Sequence, residues 1–207
     1  MSIGTFALTA ALICSIIFAF VWTVPHSKIP RALARVNACV GIVSSLVLMT
    51  YTGLLLYSVG AGTILDTPLT PVLFVLSALS CGIALLFLII GARGTTSGFS
   101  TAINRLAKAD TILICLELIL LTLFVVLAAY AASDGVADSP ISALLTGTVA
   151  PVFWLILVGF GLVVPLIMEN VRAIKLENMV IPVSLAVLSG GFALRWILVE
   201  VGLTAPL

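Results

Sequence analysis

The most telling group in this 207-residue chain is a guanidinium set inside an apolar run. Arg195 lies within Met179 to Leu203, and a charge near the middle of a bilayer costs ~3 kcal/mol or more, so such residues usually face a protein interior or an aqueous path. Two other polar side chains share that situation. Glu117, within Thr111 to Ala132, carries a carboxyl group able to exchange a proton, and Tyr51, within Val36 to Ser58, carries a hydroxyl. At the ~1.5 Å rise of an α-helix, Arg195 and Tyr51 lie ~24 Å and ~22 Å along runs that start on the same side, and Glu117 lies ~9 Å into its own. The chemistry open to such a set is proton exchange and hydrogen bonding within the membrane. The bland alternatives are an arginine that braces its helix, a carboxyl bonded to a neighbouring helix and a packing tyrosine.

The elements that must position these groups follow from composition. Hydrophobic residues make up 62% of the chain and charged residues 8%, against about 25% charged in a soluble globular domain. Six runs reach the roughly 20 residues a helix needs to cross a hydrocarbon core: Ile3 to Val24, Val36 to Ser58, Leu69 to Ala92, Thr111 to Ala132, Ile141 to Met168 and Met179 to Leu203. The chain reads as an all-α membrane protein, six transmembrane helices in one bundle, forming a single integral membrane domain over residues 1–207. Lys28, Arg31 and Arg35 follow the first helix, Arg93, Arg105 and Lys108 the third, and Arg172 and Lys175 the fifth. The loops after the second and fourth helices carry Asp66, Asp134 and Asp138 and no basic residue. Because Lys and Arg are retained on the cytoplasmic side, both termini are expected outside. Met1 to Ala19 has no charge, unlike a cleaved leader, so the first helix is expected to be retained.

Gly91 to Asp110 reads as a solvated cytoplasmic loop, and Asp110, Glu169 and Glu200 as interfacial charges. Ser77, Cys81 and Ala84 fall on about one face of the third helix, with Ser80 and Gly82 beside them, the pattern of a close helix crossing. Gly190-Gly191 and Pro165 invite a kink or another crossing. Trp22, Tyr57 and Tyr130 fall near helix ends, where aromatic residues anchor the membrane interface. A membrane b-type haem usually needs two histidines, and the sequence has His26 alone. Cys14, Cys39, Cys81 and Cys115 are isolated, with no cluster spacing, and read as packing residues. No haem, iron–sulfur cluster or metal site is expected on this chain, and no nucleotide loop or hydrolase motif occurs. The expected partner by composition is the lipid bilayer, not nucleic acid.

Several segments, in order, carry a resemblance. Tyr51-Thr52-Gly53-Leu54-Leu55-Leu56 is followed by Leu73 to Gly82. Asp110 to Leu118 looks like a D-x-x-L-x-x-x-E-L helix start. Phe153-Trp154 through Pro165 and Glu169 and the terminal Gly190-Gly191-Phe192-Ala193-Leu194-Arg195 complete the set. Together they resemble the NrfD/PsrC family, the integral membrane subunits of polysulfide-reductase-like complexes. Members usually have eight or more helices, and Met1 to Phe6 resembles the segment that opens their third, so the sequence looks like a member without its first two.

The resemblance implies an inner-membrane, multi-pass subunit of a bacterial respiratory complex that binds a quinone or quinol (menaquinone or ubiquinone) near the external face. It would exchange electrons with a ferredoxin-like iron–sulfur subunit, and a molybdenum- or tungsten-pterin subunit often completes the complex. By the same resemblance, Tyr51 would hydrogen-bond a quinone carbonyl, and Glu117 and Arg195 would belong to a proton pathway. Two other readings compete: a six-helix transporter or channel, against which no inverted repeat is evident, and a purely structural membrane anchor.

Overall fold

The computed structural model describes residues 2–23, 31–59, 67–93, 100–132, 145, 147, 149–170 and 176–204. No strand occurs among them. The helices are α1 (Ser2–Thr23), α2 (Arg31–Val59), α3 (Leu69–Arg93) and α4 (Ser100–Ala132), then a π-helix (Val152–Val163) that runs directly into α5 (Val164–Asn170), and α6 (Leu176–Thr204). His26, Lys28, Arg172, Lys175, Asp66, Asp134 and Asp138 lie outside the described residues.

Among the described residues, four helices are long and apolar enough to cross a membrane: Ala32–Ser58, Leu69–Ala92, Arg105–Tyr130 and Val180–Glu200. Two further apolar stretches among the described residues, Gly4–Phe20 and Val152–Met168, are shorter. At about 1.5 Å per residue, 17 residues reach a little over 25 Å against a hydrocarbon core of about 30 Å. The faces that these helices turn outward are apolar. Phe6, Leu155 and Phe192 are each more than two-thirds exposed, a pattern suited to lipid and not to water.

One expectation is overturned at the start of α4. The stretch Ser100–Asp110 is not loop but the first three turns of the helix. Ala102, Arg105, Leu106, Ala107 and Lys108 are good helix formers, so helix continues beyond the apolar run. At the start of α3, Thr67 and Pro68 form a turn in which the Thr70 amide donates to the Thr67 carbonyl (3.0 Å). Proline tolerates this place because the first amides of a helix have no partner within it.

The helices join in a definite order. α1 packs on α2, α2 on α3, and α3 on both α4 and α6, while the π-helix and α5 pack against α6. α3 and α6 thus form the centre, where Leu73, Ile114, Leu157, Leu194 and Ile197 are at most 1% exposed. Lipid tails are as apolar as leucine, so burial here gains van der Waals packing and not release from water. Close packing needs small residues. A Cβ added at Gly190 would lie 2.5 Å from the Gly161 Cα, so α6 and the π-helix meet backbone to backbone. A Cβ at Gly53 would lie 2.6 Å from the Pro71 Cα, which draws α2 onto α3 in the same way.

The π-winding was not anticipated. The Val164 amide donates to the Gly159 carbonyl, five residues back, and the wider coil persists over 12 residues, whereas π-winding usually occupies a single turn. Gly159 and Gly161 give it room, and Pro165 has no amide to close an ordinary α-turn with Gly161.

Gly190→Ala is expected to destabilise the detergent-solubilised protein by about 1–3 kcal/mol through overpacking, seen as a lower thermal midpoint. Gly82→Ala, where an added Cβ meets nothing within 4 Å, is expected to shift stability by no more than ~0.5 kcal/mol.

Candidate functional site

The polar groups of α3, α4 and α6 converge beside the glycine crossing. Asp110 and Glu117 are seven residues apart on α4, two helical turns, and so share a face. That face is buried against α3: Asp110 is 1% and Glu117 4% exposed. The Ser80 hydroxyl donates to Asp110 Oδ1 at 2.8 Å. Asp110 is therefore not the interfacial charge expected of it, because the helix begins well before it and carries it inside the bundle.

One turn before Ser80, Ser77 is 1% exposed. Its hydroxyl lies near the Glu117 carboxyl and the Cys81 thiol, but it completes no hydrogen bond. The expected small-residue stripe is real at Ser77, Ser80 and Ala84, all 1% exposed. Gly82 faces away from it.

Arg195 reaches this centre from α6. Its Nη1 donates to the Gly191 carbonyl at 2.7 Å, and its guanidinium carbon lies 5.9 Å from the Phe74 ring centroid. The second lone pair of a helix carbonyl and an aromatic face are two ways of holding a cation away from water. Gly191 makes room for this: a Cβ there would overlap the Cys81 sulfur and lie 3.2 Å from Arg195 Nη1 and 3.5 Å from Ser77 Oγ. The Arg195 charge acts on both Glu117 and Cys81. Between α3, α4, the π-helix and α6 remains a small enclosed cavity. Ser77, Ser80, Cys81 and Glu117 line it on one side and Gly161, Gly190 and Gly191 on the other.

The structure thus brings Glu117 and Arg195 together, and it leaves Tyr51 elsewhere. Tyr51, half-buried on α2, lays its ring against α1 at Gly4, where any Cβ would overlap it. It lines no part of the polar cavity. Sequence reasoning missed Asp110, Ser77, Ser80 and Gly161 as members of the centre. The seven-residue spacing of Asp110 and Glu117 was the available signal for the first. Among the described residues no three His, Cys, Asp or Glu side chains gather as a metal site.

A helical bundle with spans of membrane length, lipid-suited outer faces and a cluster of two buried carboxyls, two buried serines and a half-buried arginine defines an integral membrane protein with an intramembrane polar centre. The protein belongs to the NrfD polysulphide reductase family, whose model matches residues 1–206. It is 31% identical over 194 residues to the C subunit of the polysulfide reductase of Wolinella succinogenes, an alignment that covers 89% of this sequence and 59% of the relative. It is 33% identical over 159 residues to the protein NrfD homolog of Haemophilus influenzae, covering 75% of this sequence and 49% of the relative. With protein NrfD of Escherichia coli the identity is 30% over 128 residues, covering 62% of this sequence and 40% of the relative. The match therefore spans less than two-thirds of the length of each of these relatives. No solved structure matches it.

Removing the donor to Asp110 by Ser80→Ala is expected to cost about 1–3 kcal/mol, because it strands a buried carboxyl group. Asp110→Asn retains an acceptor for Ser80 and is expected to cost less. Thermal unfolding of the two purified variants ranks them, and the opposite order would show that Ser80 does not serve Asp110.

Proposed function

We propose that this protein is a quinone-interacting membrane anchor subunit of a multi-subunit iron–sulfur/molybdopterin-type oxidoreductase, carrying electrons between the quinone pool and an iron–sulfur partner. In this reading its six apolar helices cross the bacterial cytoplasmic membrane with both termini outside, and the iron–sulfur subunit docks on the external face. The observation that carries the proposal is the family match over residues 1–206. One relative's name, that of the C component of a polysulfide reductase, suits a subunit whose catalytic chemistry belongs to other polypeptides.

The residues present suit a quinone. Tyr51 stands at a helix crossing that Gly4 leaves open, half-buried, with its ring fixed against α1. Its hydroxyl would hold a quinone by donating to a carbonyl oxygen. Quinone and quinol interconvert by two electrons and two protons, which is the chemistry the bound group supplies. The protein's own part is to position it and to manage protons. Glu117 is a buried carboxyl that can hold or release one, Asp110 is a second on the same helix face, and Ser80 is an O–H donor bonded to it. Arg195, pinned on the Gly191 carbonyl and the Phe74 ring, sets a fixed positive charge beside Glu117. Because Tyr51 lies on the α1 side of α2 and the polar centre beyond α3, the two act as separate stations on one subunit.

Tyr51→Phe in the purified complex is expected to weaken binding of a quinone analogue by about 3–10-fold, the worth of one neutral hydrogen bond. Unchanged affinity and turnover would rule Tyr51 out as a contact. Glu117→Gln is expected to lower quinol-linked turnover on the order of tenfold or more while leaving analogue affinity near wild type. Equal loss of both would make Glu117 a structural residue.

A further inference from the structure

Serine and threonine hydroxyls inside these helices commonly bond back to a carbonyl one turn earlier. Ser15 donates to the Ala11 carbonyl (2.8 Å), Thr50 to Leu46 (2.9 Å), Thr122 to Leu118 (2.8 Å) and Ser184 to Val180 (2.7 Å). Of the four buried serines among the described residues, Ser44, Ser77, Ser80 and Ser184, three have partners: a helix carbonyl for Ser44 and Ser184, and Asp110 for Ser80. Ser77, although 1% exposed and close to Glu117 and Cys81, has no partner in hydrogen-bonding geometry among the described residues. A buried hydroxyl left unsatisfied costs about 1–3 kcal/mol, and in hydrocarbon no solvent fluctuates in to relieve it.

The hydroxyl borders the cavity at the glycine crossing. That cavity leaves about 10 Å³ open to the centre of a water-sized sphere, and one water needs about 10–15 Å³ by that measure together with two to four polar neighbours. The lining residues able to supply them are Ser77, Glu117 and Ser80, with Cys81 beside them. The rest of the wall is Gly161, Gly190 and Gly191 with the apolar residues Leu162 and Val187, and Gly161 and Gly190 meet there backbone to backbone. Space of this size with these neighbours excludes lipid and any organic ligand.

We infer that this cavity is a binding site for a single water molecule, which bridges Ser77 to Glu117 and extends the bonded pair Ser80–Asp110 into one connected line of hydrogen bonds. The water satisfies Ser77, and Ser77 in turn acts as a positioning residue for Glu117. The site itself stands on geometry; its use in moving protons rests on the role proposed above for Glu117.

A density map of the native membrane complex, at a resolution that shows ordered waters, tests the site without any substitution. One peak between Ser77 Oγ and the Glu117 carboxyl is expected. A dry cavity, with Ser77 turned onto the Leu73 carbonyl or bonded directly to Glu117, overturns the inference. In infrared difference spectra, an O–H band that moves in heavy-oxygen water is expected in the wild-type complex and is expected to be lost in Ser77→Ala; a band unaffected by that change likewise overturns it. If the water is present and Ser77→Ala loses the band but keeps full quinol turnover, the site stands and its part in moving protons falls, whereas loss of the role proposed for Glu117 is read separately from Glu117→Gln.

Discussion

The contact between Gly161 and Gly190 sets the geometry of everything polar in this bundle. Only two residues without side chains let the π-helix and α6 meet backbone to backbone, and the added Cβ distance of 2.5 Å leaves no latitude for alanine. Once that crossing is made, the next residue, Gly191, falls over Cys81 and Ser77. Its carbonyl is then in place for Arg195, one turn further along α6. A wider crossing would open the cavity at Ser77 and Glu117 to lipid; a displaced one would separate Arg195 from Phe74.

The polar centre is tolerable because its groups answer one another. Hydrocarbon offers no hydrogen bonds, so each buried donor or acceptor must be met from within the protein. Ser80 meets Asp110, and the Gly191 carbonyl and the Phe74 ring meet Arg195. Among the described residues no direct ion pair neutralises Arg195; its charge rests on a carbonyl dipole and an aromatic face and acts on the Glu117 carboxyl. Buried ion pairs often recover less than their desolvation costs, so a cation solvated by backbone and ring, with a carboxyl nearby, is a workable compromise.

α3 connects the two parts of the molecule that bear on function. Pro71 near its start receives Gly53 of α2, and Ser77, Ser80 and Cys81 line the polar centre on its other side. Tyr51, two residues before Gly53, is thereby held at a fixed offset from Glu117 and Arg195 although it touches neither. In the function proposed above, Tyr51 as a quinone contact and Glu117 as a proton carrier would in this way be held apart on different helices by close backbone contacts.

Much of this was legible in the residues alone. The length and apolarity of the runs, and the cost of a lone guanidinium inside one of them, determined an all-α membrane protein and singled out Glu117 and Arg195, because transfer from water to hydrocarbon is a property of each side chain in isolation. The ordered segments from Tyr51 to Arg195 determined the family. What the sequence could not decide was contact. Asp110 read as an interfacial charge because the apolar run begins after it, whereas the helix begins ten residues earlier and carries it inside. The π-winding was hidden because it depends on where Pro165 and two glycines fall relative to a neighbouring helix. The pairing of Gly161 with Gly190, and the separation of Tyr51 from Arg195 despite their similar estimated depth, were decided only by tertiary structure, since one-dimensional spacing fixes depth along a helix but not which neighbour each face meets.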